Sequence, residues 1–103
     1  MTNRVFVITI SPMEWDELKR KANLTKHGLD FADVGCVLEN PFRLDVDVIR
    51  NQEHRVQSFA YVFSHLAVLT VVHTDNSKRI ISFRRAGREE REVYHEWLAN
   101  EFK

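Results

Sequence analysis

Little in this chain of 103 residues cross-links it or interrupts it. Cys36 is the sole cysteine, so no internal disulfide can form, as befits a reducing compartment. It stands among Val34, Val37 and Leu38, where a buried, inert thiol is expected rather than a nucleophile. Three glycines and two prolines leave room for short loops only, and no repeat, low-complexity tract or linker is visible. No apolar run approaches the roughly 18 residues that cross a bilayer. Residues 4–10 (RVFVITI) are too short, and the residues after them lack the composition of a signal peptide. The expectation is one cytoplasmic domain, residues 1–103, with no membrane association. A glycine-rich phosphate loop and a G-x-S-x-G elbow are both missing. The histidines (His27, His54, His65, His73 and His95) show no metal-ligand spacing, and Cys36 has no partner, so no zinc site or other cofactor is expected.

Net charge is missing too: fifteen Lys and Arg balance fifteen Asp and Glu. Global charge thus gives no reason to expect a polyanion partner, but its distribution does. Residues 78–91 (KRIISFRRAGREER) hold six basic side chains and two acidic ones, whereas residues 30–47 hold five acidic and one basic. A local basic cluster in a neutral chain suits a small phosphate site better than a long track along DNA.

What is present is a core and a readable order of elements. Hydrophobic residues make 44% of the chain and Phe, Trp and Tyr together 11%, so large rings will fill much of the interior. Residues 4–10 read as a short strand ended by Pro12. Residues 13–27 read as a helix opened by Ser11-Pro12-Glu14 and stopped by Gly28, with Trp15, Leu18, Ala22 and Leu24 or Thr25 near the helical period. Asp30 caps a second helix over about 31–39, with Phe31, Val34 and Leu38 on its apolar face, and Asn40-Pro41 breaks it. From Phe42 the period becomes two: Phe42, Leu44, Val46 and Val48 alternate with Arg43, Asp45 and Asp47. Further strands are expected at 54–63, at 65–74 (apolar on both faces, hence central) and at 78–85, with a turn at Asp75-Asn76-Ser77. Gly87 precedes a closing helix that runs to about 102, with Val93, Trp97 and Leu98 against the sheet and Tyr94 beside them. This order predicts a two-layer α+β domain: two N-terminal helices, an antiparallel sheet of about four strands and a C-terminal helix. Short turns exclude the parallel sheet of a doubly wound nucleotide-binding fold.

Two segments carry candidate chemistry. Strict alternation over 79–85 places Arg79, Ile81, Phe83 and Arg85 on one face and Ile80, Ser82 and Arg84 on the other. An arginine on an otherwise packed face must bond a carboxylate or await a phosphate, whose oxygens its planar fork matches. The competing reading is an edge strand protected by charge. Glu90 and Arg91, in a helix start of mixed charge, are placed to brace those arginines or simply to form solvated ion pairs. Lys26-His27-Gly28 is the second segment. His27 is the side chain best poised for proton transfer near neutral pH, with Lys26 as a mobile cation. The same residues equally describe a helix end with favourable dipole contacts.

Residues 15–28 (WDELKRKANLTKHG) resemble the opening of the BrnT toxins, approximately W-D-x-x-K, an Asn, then K-H-G. Trp15, Asp16, Lys19, Asn23, Lys26, His27 and Gly28 fit, and Phe31 comes next in place. Residues 37–41 resemble V-F-x-D-P, with Leu38 for Phe and Asn40 for Asp. Residues 79–94 are similar to the closing R-I-I-S-A-R-x-A, E-R and Tyr, with Phe83 where Ala is usual. The middle departs from the family, with Glu53-His54-Arg55 for E-E-R and Ala60 for a glycine, and residues 1–11 look like an added lead-in. The resemblance implies a RelE-like fold, ribonuclease toxicity, and a BrnA antitoxin whose ribbon-helix-helix part binds operator DNA, so that this chain meets DNA only through its partner. It points to Lys26, His27, Arg79 and Arg84 as catalytic residues; Arg55 and Arg85 are expected, apart from the resemblance, as substrate contacts. The expected reaction is metal-independent cleavage in which the RNA's own 2′-OH attacks the adjacent phosphate. A non-catalytic partner protein, acting as corepressor with a DNA-binding antitoxin, is the alternative.

Overall fold

The computed structural model describes residues 14–74 and 79–101. The strand expected at residues 4–10 and the turn at 75–77 lie outside the described residues. Asp16 sets the start of helix α1 (Glu17–His27) by accepting from the backbone N–H of Leu18 at 2.8 Å and Lys19 at 3.4 Å. The helix therefore begins later than the Ser11-Pro12-Glu14 signal suggested, because a carboxylate cap at Asp16 satisfies its orphan donors. Trp15 stays outside it, edge-on to Phe31 with ring centroids 6.3 Å apart. Gly28 ends it at φ 70°, donating to the Leu24 carbonyl at 2.8 Å.

The apolar face expected of α1 also needs correcting. Leu18 is 78% and Leu24 41% exposed, and the side chain that α1 buries is an amide, Asn23. After it, Asp30 caps a 3₁₀ turn (Phe31–Asp33) by accepting from the Ala32 N–H at 3.0 Å. Gly35–Leu38 then form the short α2. The single helix expected at 31–39 is thus broken at Val34, ahead of a glycine that adds little to helix propagation. Phe31 and Val34 enter the core as expected, but Val37 takes the buried place given to Leu38, which is only half-buried beside it.

The four-stranded antiparallel sheet is as expected. Strands β1 (Leu44–Arg50), β2 (Glu53–Val62), β3 (Ala67–Thr74) and β4 (Ile80–Arg85) lie side by side in chain order, and helix α3 (Arg88–Glu101) closes the described chain. Helices cover both faces, which corrects the two-layer expectation. On one face Ala60, Val62, Leu69, Val71, Ile80 and Phe83 pack against Leu29, Phe31, Val34 and Val37. On the other, Phe59 and Val68, each adjacent along its strand to a residue of the first set, pack against Tyr94, with Trp97 and Leu98 alongside. Tyr94, not the 49%-exposed Val93, centres α3: its hydroxyl donates to the Phe42 carbonyl at 2.7 Å and accepts from the Tyr61 N–H at 3.2 Å. Fully burying rings such as Phe31, Phe59 and Phe83 stabilises the fold by about 1.5–3 kcal/mol each.

Two details of the sheet decide what the site contains. A β-bulge opposite Val72 and His73 breaks the alternation of β4. Ile80 consequently joins Phe83 in the core, and Ile81 turns to the side of Ser82 and Arg84, the reverse of what strict alternation gave. In addition, α3 covers only one end of its face, over Leu44, Val46, Phe59 and Val68. The other end, with Val48, Gln57, Val72 and Ser82, is an open groove.

Candidate active site

Asn23 joins α1 to the free edge of β4. Its amide donates to the Phe83 carbonyl at 2.7 Å and the Leu29 carbonyl at 3.0 Å, and its oxygen accepts from the Phe83 N–H at 3.1 Å. A side chain thus stands in for a fifth strand and satisfies groups that an edge leaves unpaired. One turn later on the same helix stand Lys26 and His27. The helix end is thereby held beside β4, where Lys19, Asn23, Lys26, His27 and Ser82 line a shallow cleft of about 280 Å³.

Ser82 is shared with the open groove, about 210 Å³, lined by Arg50, Arg55, Gln57 and Arg84 among others. The two clefts therefore adjoin across one residue of β4. Burial, then the positive charges of Lys26 and Arg84, hold the His27 imidazole below its ordinary value, which favours the unprotonated ring able to accept a proton. Arg84 acts on His27 through charge although the two lie on different elements.

Arg84 is gripped by the first turn of α3. Glu90 accepts from both terminal nitrogens of the guanidinium, at 2.7 and 2.8 Å, and also from the Gly87 N–H at 2.7 Å. Chiefly through Arg84, Glu90 is held below the usual carboxylate range, and Glu90 in turn raises Arg84. Of the two readings left open for the arginine, pairing with a carboxylate is realised, and Glu90 is the brace. An arginine carries five N–H donors, so its Nε side stays available to a second anion. Arg55 reaches the same groove while paired to Glu53 at 2.6–2.8 Å.

The remaining residues named from the sequence sit apart. Arg79 is exposed just ahead of β4, where its carbonyl accepts from the Thr74 N–H, its N–H donates to the Thr74 hydroxyl and it bridges to Glu14, and it lines neither cleft. Arg85 is exposed opposite Leu69, on the face away from Arg84. Arg50, Gln57 and Asn23 were not singled out for chemistry by sequence reasoning. Arg50 lies beyond the last apolar residue of the alternating run, and Asn23 carries no signal other than its place in the opening motif.

Two other features have the look of sites. Asp45, Ser58 and His73 form a chain in which the Ser58 hydroxyl donates to Asp45 Oδ1 at 2.7 Å and lies 2.8 Å from His73 Nε2. The serine stands between the other two, and Ser58 and His73 are 0% and 1% exposed, so this is a buried structural network rather than a nucleophile in a cleft. A larger cleft, about 640 Å³, lies between Pro41, Phe42, Tyr61, Phe63, Tyr94 and Leu98, away from the groove and without a Lys or Arg in its lining. Its lining is mostly apolar, with Asn40, Ser64 and His95 among its few polar side chains.

No curated protein matches the chain. The family described as "Ribonuclease toxin, BrnT, of type II toxin-antitoxin system" matches residues 15–90, a span that runs from Trp15 through α1 and the whole sheet to Glu90. The chain belongs to the BrnT family of ribonuclease toxins, and as a toxin of a type II system it has an antitoxin as partner.

Proposed function

We propose that this protein cleaves RNA without a metal ion, by attack of the 2′-OH on the adjacent phosphate. One observation carries the proposal: His27 and Lys26 share a cleft with Ser82, which also lines the adjoining groove that holds the Arg84 guanidinium. His27 takes the proton from the 2′-OH as it attacks. The P–O5′ bond breaks as the new bond forms, leaving a 2′,3′-cyclic phosphate and a 5′-oxygen. Lys26, on the same cleft, supplies the proton that the departing oxygen requires. Arg84, fixed in orientation by Glu90, presents its Nε side to the non-bridging oxygens where negative charge grows, and a well-placed donor of this kind contributes about 3 kcal/mol to barrier lowering. Arg55 binds the neighbouring backbone. Arg79 and Arg85 serve as outer contacts, since both lie off the two clefts.

In this reading the fold is RelE-like. The partner is a BrnA-like antitoxin with a ribbon-helix-helix part, through which alone the complex meets operator DNA. The antitoxin silences the toxin by covering the groove with acidic side chains. The test is product analysis: cleavage in the presence of a strong chelator should leave a cyclic phosphate and a 5′-OH. A 5′-phosphate product, or activity restored only by Mg²⁺, refutes the mechanism. Operator repression with antitoxin and no RNA cleavage would support the corepressor alternative.

A further inference from the structure

Three guanidiniums line the open groove, and they are not equivalent. Arg84 is engaged by Glu90 and Arg55 by Glu53. Arg50, at the end of β1, has no ion pair or side-chain hydrogen bond among the described residues. It is the one of the three that can take an anion without giving up or sharing a carboxylate. Its position is also fixed. Arg50 pairs with Glu53 across a two-residue turn in which Asn51 and Gln52 both have positive φ, 51° and 64°. That is the pattern of a tight primed turn, which matches the twist of the flanking strands. These two residues lack the glycine that would adopt it at least cost, so the turn holds a conformation that side chains rarely choose.

The geometry points to Arg50 as a phosphate anchor for single-stranded RNA, holding a backbone phosphate remote from the one between His27 and Arg84. This rests on the RNA-cleaving reading. Through Thr70 and Phe59, Arg84 on β4 is level with Leu44 on β1, so Arg50 lies three strand spacings, about 14 Å, across the sheet and six residues, about 20 Å, further along it. The strand would cross the groove from the edge held by Asn23, over Ser82 and Gln57, towards Arg55 and Arg50. The guanidinium fork suits a phosphate and keeps its charge at any working pH. The substrate is thereby an oligonucleotide several residues long, because a dinucleotide cannot reach both ends.

The test uses the full chain and RNA methylated at every 2′-oxygen, which binds but cannot react. Anisotropy should show the wild type binding a decamer at least about tenfold tighter than a trimer. Arg50→Gln should lose most of that gain and flatten the logarithmic salt dependence by about 0.7. Arg50→Lys should recover part of the affinity. Because the Arg50 side chain is exposed and bonds no described residue, the variants should fold, and circular dichroism checks it. A wild type with no gain from trimer to decamer, or an Arg50→Gln protein with wild-type affinity and slope, overturns the anchor. Unmodified RNA separates the two levels: intact RNA together with weakened Arg50→Gln binding leaves the anchor standing and removes the cleavage reading. Cleaved RNA with unchanged binding does the reverse.

Discussion

Replacing Asn23 with alanine should damage both the fold and the site, through the same three bonds. The amide is 8% exposed and meets the Phe83 N–H, the Phe83 carbonyl and the Leu29 carbonyl at 2.7–3.1 Å. Each bond contributes about 0.5–1.5 kcal/mol net, and a buried backbone group left without a partner costs about 1–3 kcal/mol. Water entering at the exposed edge would meet part of that need, so a loss of about 2–4 kcal/mol is expected. Urea denaturation reads this as a midpoint shift of roughly 1–2 M for an m-value near 2 kcal/mol/M. The second consequence is functional. His27 lies one turn beyond Asn23, so a loosened α1 moves the imidazole relative to Ser82 and Arg84. Cleavage by the protein that is still folded should fall at least about tenfold, in kcat rather than KM, because misplacement of this kind acts on the reacting geometry. Asn23→Asp should behave similarly, since a carboxylate cannot donate to either carbonyl. A destabilisation under about 1 kcal/mol together with unchanged cleavage would show that Asn23 does not hold α1 to β4.

The same contacts give four more expectations. His27→Gln should leave melting nearly unchanged and slow cleavage by about 10²–10⁴-fold; an unaltered rate would reduce His27 to a helix end. Lys26→Gln should raise the His27 pKa, because a neighbouring cation that disfavours the imidazolium is gone; a histidine NMR titration reads the shift, and no upward movement contradicts the proposed electrostatics. Arg84→Lys keeps the charge but loses the fork held by Glu90, so growth inhibition should weaken clearly, whereas Arg84→Ala should abolish it in a folded protein; an unfolded alanine variant would make the pair purely structural. For pH, the Arg20 guanidinium beside Asp30 lowers that carboxyl to about 2. Its contribution to stability is present above the unfolded value of about 4 and fades as pH falls towards 2. Asp30→Asn should remove this part of the acid dependence of Tm, and an unchanged dependence would count against the pairing.

The sheet was legible because β1 and β3 declare themselves differently. Leu44, Val46 and Val48 alternate with polar residues, as a strand with one packed face must, and β3 is apolar on both faces because it lies inside the sheet. The bulge was not legible. It is set by how Val72 and His73 pair with β4, and nothing within residues 79–85 marks which residue is the extra one. The face of α1 was misread for a related reason. Its buried residue is an amide that serves the sheet edge, which an apolar period cannot reveal, while Leu18 is left outside. At the site, Lys26, His27 and Arg84 were visible through the motifs, and charge alternation suggested the Glu90 brace. Arg50 was missed because the apolar pattern stops at Val48, and Asn51-Gln52 lacks the glycine that usually announces a hairpin turn. The divergent placement of Arg79 and Arg85 comes from strand geometry, which a count of basic residues ignores.

In the proposed reaction RNA supplies its own nucleophile, with His27 as the base. The most direct measurement incubates the purified protein with an RNA oligomer and with the same oligomer methylated at its 2′-oxygens, both with a chelator present. The expected result is cleavage of the first, no cleavage of the second, and comparable binding of both. Cleavage of the methylated oligomer, or no cleavage of either by folded protein, would contradict it.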